Sequence, residues 1–190
     1  MKDDLPIILF ETEQFLTNWL EQNGKSAGVW IRIAKKNSGI KSVSYEQAVS
    51  VGLCFGWIDG LKKTFDEKTW IQRFSQRKPT SQWSKINRDK AIQLIADGKM
   101  KQEGMASIDV AKAKGTWDKA YDSQKTAKVP DDLQAELDKN SRAAEFFKSM
   151  ESVNRYAIIY RLQTARTPEI RAKKLVQFVE MLNRKEKIHN

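Results

Sequence analysis

Apolar positions Phe15, Leu16, Trp19 and Leu20 recur at helical spacing. They predict an amphipathic helix over roughly residues 11 to 23, closed by Asn23-Gly24 with the glycine in a left-handed cap. From Gly28 to Lys35 the period changes to two. Val29, Ile31 and Ile33 alternate with Trp30 and Arg32, the pattern of a half-buried strand. Asn37 to Ser42 reads as a loop, and Ser44-Tyr45-Glu46-Gln47 as a capping box that opens a helix ending at Gly56. Two further alternating runs, Trp57 to Phe65 and Thr69 to Gln76, flank the polar turn Asp66-Glu67-Lys68 and predict a hairpin. After Pro79, Thr80 or Ser81 caps a helix that runs to about Ala96 with Ile86, Ala91, Leu94 and Ile95 inside. Another helix is expected around Ala106 to Ala113, on Ile108 and Val110.

Trp117 to Lys128 is polar and reads as irregular. Everything after it has helical spacing. Pro130 with Asp131 and Asp132 marks a helix start, because proline is tolerated there and carboxylates complement the helix dipole. Ser141, Ser152 and Thr167-Pro168 open three more helices, the last carrying Leu175, Val176, Val179 and Leu182. The expected fold is α+β: a small, mainly antiparallel sheet with covering helices over residues 1–116, a linker at 117–128 and an all-helical module at 129–187.

Composition narrows the chemistry. The 190 residues include one cysteine, Cys54, and one histidine, His189. A lone cysteine forms no internal disulfide and fits a reducing compartment. Common Cys/His metal sites lack ligands, so no metal is expected. A nucleophile–histidine pair would need His189 to fold back from a chain end, where chains are usually mobile. The N-terminal MKDDLPIILF is too acidic and its apolar run too short for a secretory signal. No run approaches the about 20 apolar residues that span a bilayer, so no membrane insertion is expected and the location is read as cytoplasmic. The net charge of +10 favours an anionic small molecule or an acidic protein surface as partner. Nucleic acid is a less favoured partner, since a basic composition is only an electrostatic footprint.

Two constellations stand out between Cys54 and Met100. Around Trp57 and Asp59, Gly56 and Gly60 bracket a tryptophan and a carboxylate at a helix-to-strand junction. The plainer reading is geometric, with Gly56 ending the helix and Gly60 allowing a bulge. The functional one puts Asp59 in a pocket beside Trp57. The second constellation gathers Arg73, Arg77, Lys78, Trp83 and Asn87 at a strand-to-helix junction, where backbone N–H groups and cations form an anion site. Between Lys62 and Lys99 there are ten Lys/Arg against four Asp/Glu. The competing reading is a solvated face with Trp83 packed on the core. A third basic stretch, Arg155 to Lys187, carries nine Lys/Arg against three Asp/Glu and reads as a solvated helix face. Cys54 sits in an apolar run as an inert thiol. No phosphate loop, dinucleotide fingerprint or metalloprotease motif is present, so no cofactor is implied and no catalytic residue is assigned.

The strings LCFGWIDG (53–60), RFSQRKPTSQWSKINRDKAIQLIADGKM (73–100) and AKAKGTW (111–117) resemble the bacteriocin-protection, YdeI/OmpD-associated proteins of bacteria. Trp19-Leu20, Asn23 and Gly28 to Ile31 fit the same pattern, as do Pro130 to Leu133, Phe146 and the segment Thr164 to Arg171. The chain departs from it at Ile170, where the pattern has threonine. The resemblance implies a protein that protects against bacteriocins or antimicrobial peptides, acting by binding. It implies no catalytic residues and no cofactor. Two other readings stand beside it: an anion or small-ligand site, or unrecognised enzyme, built from the residues above, and nucleic-acid binding through the basic surface.

Overall fold

The computed structural model describes residues 5–189. Residues 1–4, part of the stretch weighed as a signal segment, and Asn190 lie outside the described residues. The chain divides into two compact units. One comprises the residues up to Ser81 together with Asn87–Asp118, the other Gln82–Ile86 together with the residues from Lys119 onward. The fold is α+β, with a four-stranded, mostly antiparallel sheet and a helical C-terminal part.

In the first unit the elements follow as β1 (Ile7–Leu9), α1 (Glu13–Asn23), β2 (Val29–Ala34), α2 (Tyr45–Cys54), β3 (Trp57–Thr64) and β4 (Thr69–Gln76). Two helices follow, α3 (Lys85–Ala96), whose first two residues are counted with the second unit, and α4 (Gln102–Ala113). The sheet order is β1-β2-β4-β3; β1 runs parallel to β2, and the other pairs are antiparallel. β1 is an element that periodicity does not reveal, since three apolar residues show no alternation.

The register fixes the two faces. Val29 and Trp57 share one face with Phe74, because Val29 pairs with Phe74 and Trp57 lies two residues before its other partner, Asp59. On this face Trp57 is 1% exposed and meets the Trp19 ring of α1 edge-on at 6.0 Å. Asp66 closes the β3–β4 hairpin: its carboxylate accepts from the Lys68 and Thr69 amides at 2.9 and 2.6 Å, from the Thr69 hydroxyl at 2.8 Å and from Arg32 at 2.7 Å. The register shifts between Asp59 and Lys62, so a bulge falls at Gly60. The buried Gln72 donates to the Gly60 carbonyl at 2.7 Å and so satisfies a group the ladder leaves over.

Several sequence expectations are corrected. Gly24 is right-handed, with φ −55°, and its carbonyl accepts from the Gln76 side chain, so a side chain from β4 closes α1 rather than a left-handed glycine. Neither Thr80 nor Ser81 caps α3. Ser81 closes a turn on Lys78, its hydroxyl accepting the Lys78 amide at 3.0 Å, and α3 opens only at Lys85. Ala91 and Leu94 form the buried side of α3, while Ile86 and Ile95 are 57% and 39% exposed. Ile86 lies off the stripe set by Ala91 and Leu94, and Ile95, one turn on from Ala91, lies at its edge. α4 opens at Gln102, earlier than Ala106, and buries Gly104, Ile108 and Ala111 while Val110 faces outward.

α4 comes very close to the end of α2, and two glycines permit it. Gly56 has φ +70°, and a Cβ there would stand 2.7 Å from the Glu103 carbonyl oxygen. A Cβ on Gly104 would collide with the Cys54 carbonyl oxygen and the Met100 sulfur. The Lys101 amide donates to the same Cys54 carbonyl at 3.1 Å.

The second unit holds α5 (Asp131–Asp138), α6 (Ser141–Ser149), α7 (Ser152–Gln163) and α8 (Pro168–Asn183). α8 touches the other three helices around a core that includes Leu133, Phe147, Ile158, Leu162 and Leu182. Phe178, not Val176, faces that core; Val176 is 58% exposed. Thr167 caps α8 by accepting the Ile170 amide at 3.3 Å. Residues 117–128 are mainly turns and irregular backbone, with one short parallel bridge from Tyr121 to Ser84. His189 is not a loose end: its amide donates to Asn154 Oδ1 at 2.9 Å and its carbonyl accepts from Asn154 Nδ2 at 3.2 Å. Asn154 is 4% exposed, so these bonds satisfy a buried amide.

Candidate functional site

The seven residues singled out from sequence fall on several elements of the chain. Trp57 is a core residue. Asp59 accepts the Tyr45 hydroxyl at 2.7 Å on the face of the sheet that meets α2. Arg73 pairs with Trp30 and therefore sits on the opposite face. Arg77 and Lys78 follow the strand, and Asn87 lies on α3. Trp83 belongs to the second unit and is buried. Ser81 is engaged in a turn with Lys78, and the first amide of α3, that of Lys85, donates to the Tyr121 carbonyl at 2.8 Å.

The first unit does contain a cavity of about 560 Å³, and none of the seven lines it. Its apolar wall is Val51, Cys54, Phe55 and Leu94. Its polar groups come from α1, α2, α3 and the segment between α3 and α4, with three lysines, Lys90, Lys99 and Lys101, and two carboxylates, Glu13 and Asp97. Lys90 Nζ lies 3.3 Å from the Ser50 hydroxyl. Lys99 Nζ is 3.9 Å from Asp97, a loose pair. Lys101 Nζ is 3.3 Å from Glu21 and 5.8 Å from the centre of the Phe55 ring. Glu13 accepts from Gln47 at 2.8 Å and Asp97 from Gln93 at 2.8 Å. Burial pushes the Cys54 thiol above its ordinary value, and the charges of Lys101 and Lys99 act the other way.

The second unit has its own cleft of about 610 Å³, with several charged residues in its lining. Its floor is a clasp between α5 and α8. Arg171 Nε and Nη2 donate to the two oxygens of Asp132 at 2.7 and 2.8 Å, a bidentate pair, and Nη1 donates to the Leu162 carbonyl at 2.7 Å. Hydrogen bonding to Arg171 holds the Asp132 carboxyl below the usual carboxylate range, against a smaller opposing effect of burial. On the other side Asp122 is fixed by Lys85 at 2.7 Å and by Gln163 at 3.0 Å. Lys128 and Asp131 complete the charged lining. In the sequence Pro130 and Thr167-Pro168 mark two separate helix starts. That they meet is written in no local pattern, only in the complementary Asp132 and Arg171.

An α+β unit followed by a separate helical unit, each with its own cavity, is the class of protein this geometry defines. The model of a family described as a domain of unknown function (DUF8412) matches residues 8–107, and that of the bacteriocin-protection, YdeI or OmpD-associated family matches residues 126–185. The chain belongs to the first family, and its C-terminal helical segment carries a region that matches the second. No curated protein and no solved structure matches it. No described helix is long and apolar enough to cross a membrane.

Proposed function

We propose that the protein is a cytoplasmic protection factor against bacteriocins or antimicrobial peptides, and that it works by binding through the cleft of its helical unit. One observation carries the reading. The segment matched to the bacteriocin-protection family supplies most of that cleft, and its two motifs, Pro130 to Leu133 and Thr164 to Arg171, are joined there by the Asp132–Arg171 clasp. With these two groups saturating each other, Lys128 and Asp131 remain to meet a partner. The net charge of +10 opposes direct capture of cationic peptides and favours an acidic protein surface.

Deleting the gene and challenging cells with bacteriocins and cationic peptides tests the reading. Increased sensitivity is expected, restored by the wild-type gene but not by Lys128→Glu, an exposed substitution that leaves the fold intact by circular dichroism. Unchanged sensitivity of the deletion strain would sink it. Full rescue by Lys128→Glu would remove the cleft from it.

A further inference from the structure

The cavity of the first unit belongs to neither of the constellations legible in the sequence nor to the cleft above. Its volume of about 560 Å³ lies within the range typical of small-molecule sites, about 300–1,000 Å³. Its composition is divided. Val51, Cys54 and Leu94 are each 8% exposed or less and offer an apolar wall, whereas the ammonium groups of Lys99 and Lys101 stand well in solvent. The lining charge is also unequal: Lys90, Lys99 and Lys101 face Glu13 and Asp97. Glu13 and Asp97 each accept from a glutamine, so both carboxylates are already held by neutral donors. Lys90 rests on a hydroxyl and Lys99 only loosely on Asp97, which leaves ammonium N–H groups to donate.

From this we infer that the cavity is a binding site for a small amphiphilic monoanion, with its apolar chain against Val51, Cys54 and Leu94 and its carboxylate at Lys90 and Lys99. The carboxylate falls to Lys90 and Lys99 because Lys101 is already paired with Glu21. An apolar chain displaces water from the wall, which neither a free inorganic anion nor a cationic amphiphile of the same length does with matching charge. The site is independent of the protection reading, since it lies wholly in the first unit.

Cys54 gives the experiment its reporter, because it is the single cysteine of the chain and lines the cavity. The full chain is titrated by calorimetry with decanoate below its micellar range, with decyltrimethylammonium and with acetate, and Cys54 alkylation by a small maleimide is timed with and without each. Decanoate is expected to bind saturably at one site and to slow alkylation, while the other two do neither. Replacing the ammonium groups (Lys90→Gln, Lys99→Gln and Lys101→Gln together) weakens decanoate binding about tenfold or more, the loss of a charge-assisted contact. Circular dichroism of this variant checks that it is folded. Should the thiol resist alkylation even without ligand, the calorimetric comparison of wild type with the lysine variant decides. Absence of saturable decanoate binding, equal binding of the cationic amphiphile, or undiminished binding by the lysine variant would each overturn the assignment. Decanoate binding that leaves a reactive Cys54 unprotected would overturn it as well.

Discussion

Replacing Arg171 by alanine removes three hydrogen bonds at once. Two are the fork onto Asp132, at 2.7 and 2.8 Å, and the third goes to the Leu162 carbonyl at 2.7 Å. A charge-assisted bond contributes about 1.5–3 kcal/mol where water is excluded. The clasp is only partly shielded, with the Arg171 and Asp132 side chains 32% and 36% exposed, so solvent screening brings the ion pair down to about 1–2 kcal/mol. The half-buried bond to Leu162 adds about 1 kcal/mol. Arg171→Ala should therefore cost about 2–3 kcal/mol, and Arg171→Lys nearly as much, because an ammonium cannot present the planar fork. Urea unfolding followed by far-ultraviolet circular dichroism measures the loss, and a double-mutant cycle with Asp132→Ala isolates the pair at about 1–2 kcal/mol.

The clasp also has a pH signature. The folded Asp132 carboxyl titrates below its unfolded value, so its contribution is complete at neutral pH. It fades as pH falls below the ordinary carboxylate range and through the lower folded value. Wild type and Asp132→Asn should thus converge in stability in acid and diverge above it. A cycle energy near zero, or a gap between them that widens in acid, would refute the reasoning.

Asn154→Ala should cost about 2 kcal/mol, since two bonds from a buried amide to the His189 backbone disappear, and it should speed hydrogen exchange at the His189 amide. Alkylation of Cys54 should keep accelerating with pH beyond the ordinary thiol range, because burial disfavours the thiolate; Lys101→Gln should move the profile further up by removing a stabilising charge. Asp66→Ala should destabilise the hairpin, read as faster exchange of the Lys68 and Thr69 amides, which lose their acceptor. Gly104→Ala should cost at least about 2 kcal/mol in urea unfolding, as a methyl group there meets backbone oxygen that has nowhere to go.

Local pattern reveals the elements whose formation is local. The capping box at Ser44, the Asp66 turn and the Thr167 cap are all visible in the sequence because donor and acceptor lie within three residues of each other. Alternation reveals β2 and β4 because each has one face against the covering helices. β1 escapes, since its only support is a parallel partner 23 residues away. The inner side of α3 is misassigned because isoleucines suggest burial by composition, whereas Ala91 and Leu94 set the stripe. Both cavities are hidden for the same reason. Lysines, glutamines and carboxylates such as Glu13, Lys90 and Lys101 look like ordinary solvated positions until three segments are brought side by side. The tryptophan–arginine stretch, by contrast, was conspicuous in composition, and much of it serves packing: Trp57 against Trp19, and Trp83 inside the second unit.

The close approach of α4 to α2 has a consequence for how this sequence can vary. A Cβ at Gly56 or Gly104 would meet backbone oxygen as well as side-chain atoms, so a change in a neighbouring side chain alone makes no room for a larger residue. Gly39, Gly98 and Gly115 share the positive φ of Gly56 but face open space, and asparagine is an available substitute there. A randomised library selected only for folding should therefore return glycine at 56 and 104 almost without exception, while the other three positions diversify. Those two positions act as fixed points around which the rest of the first unit, including the lysines of its cavity, is free to evolve new specificity.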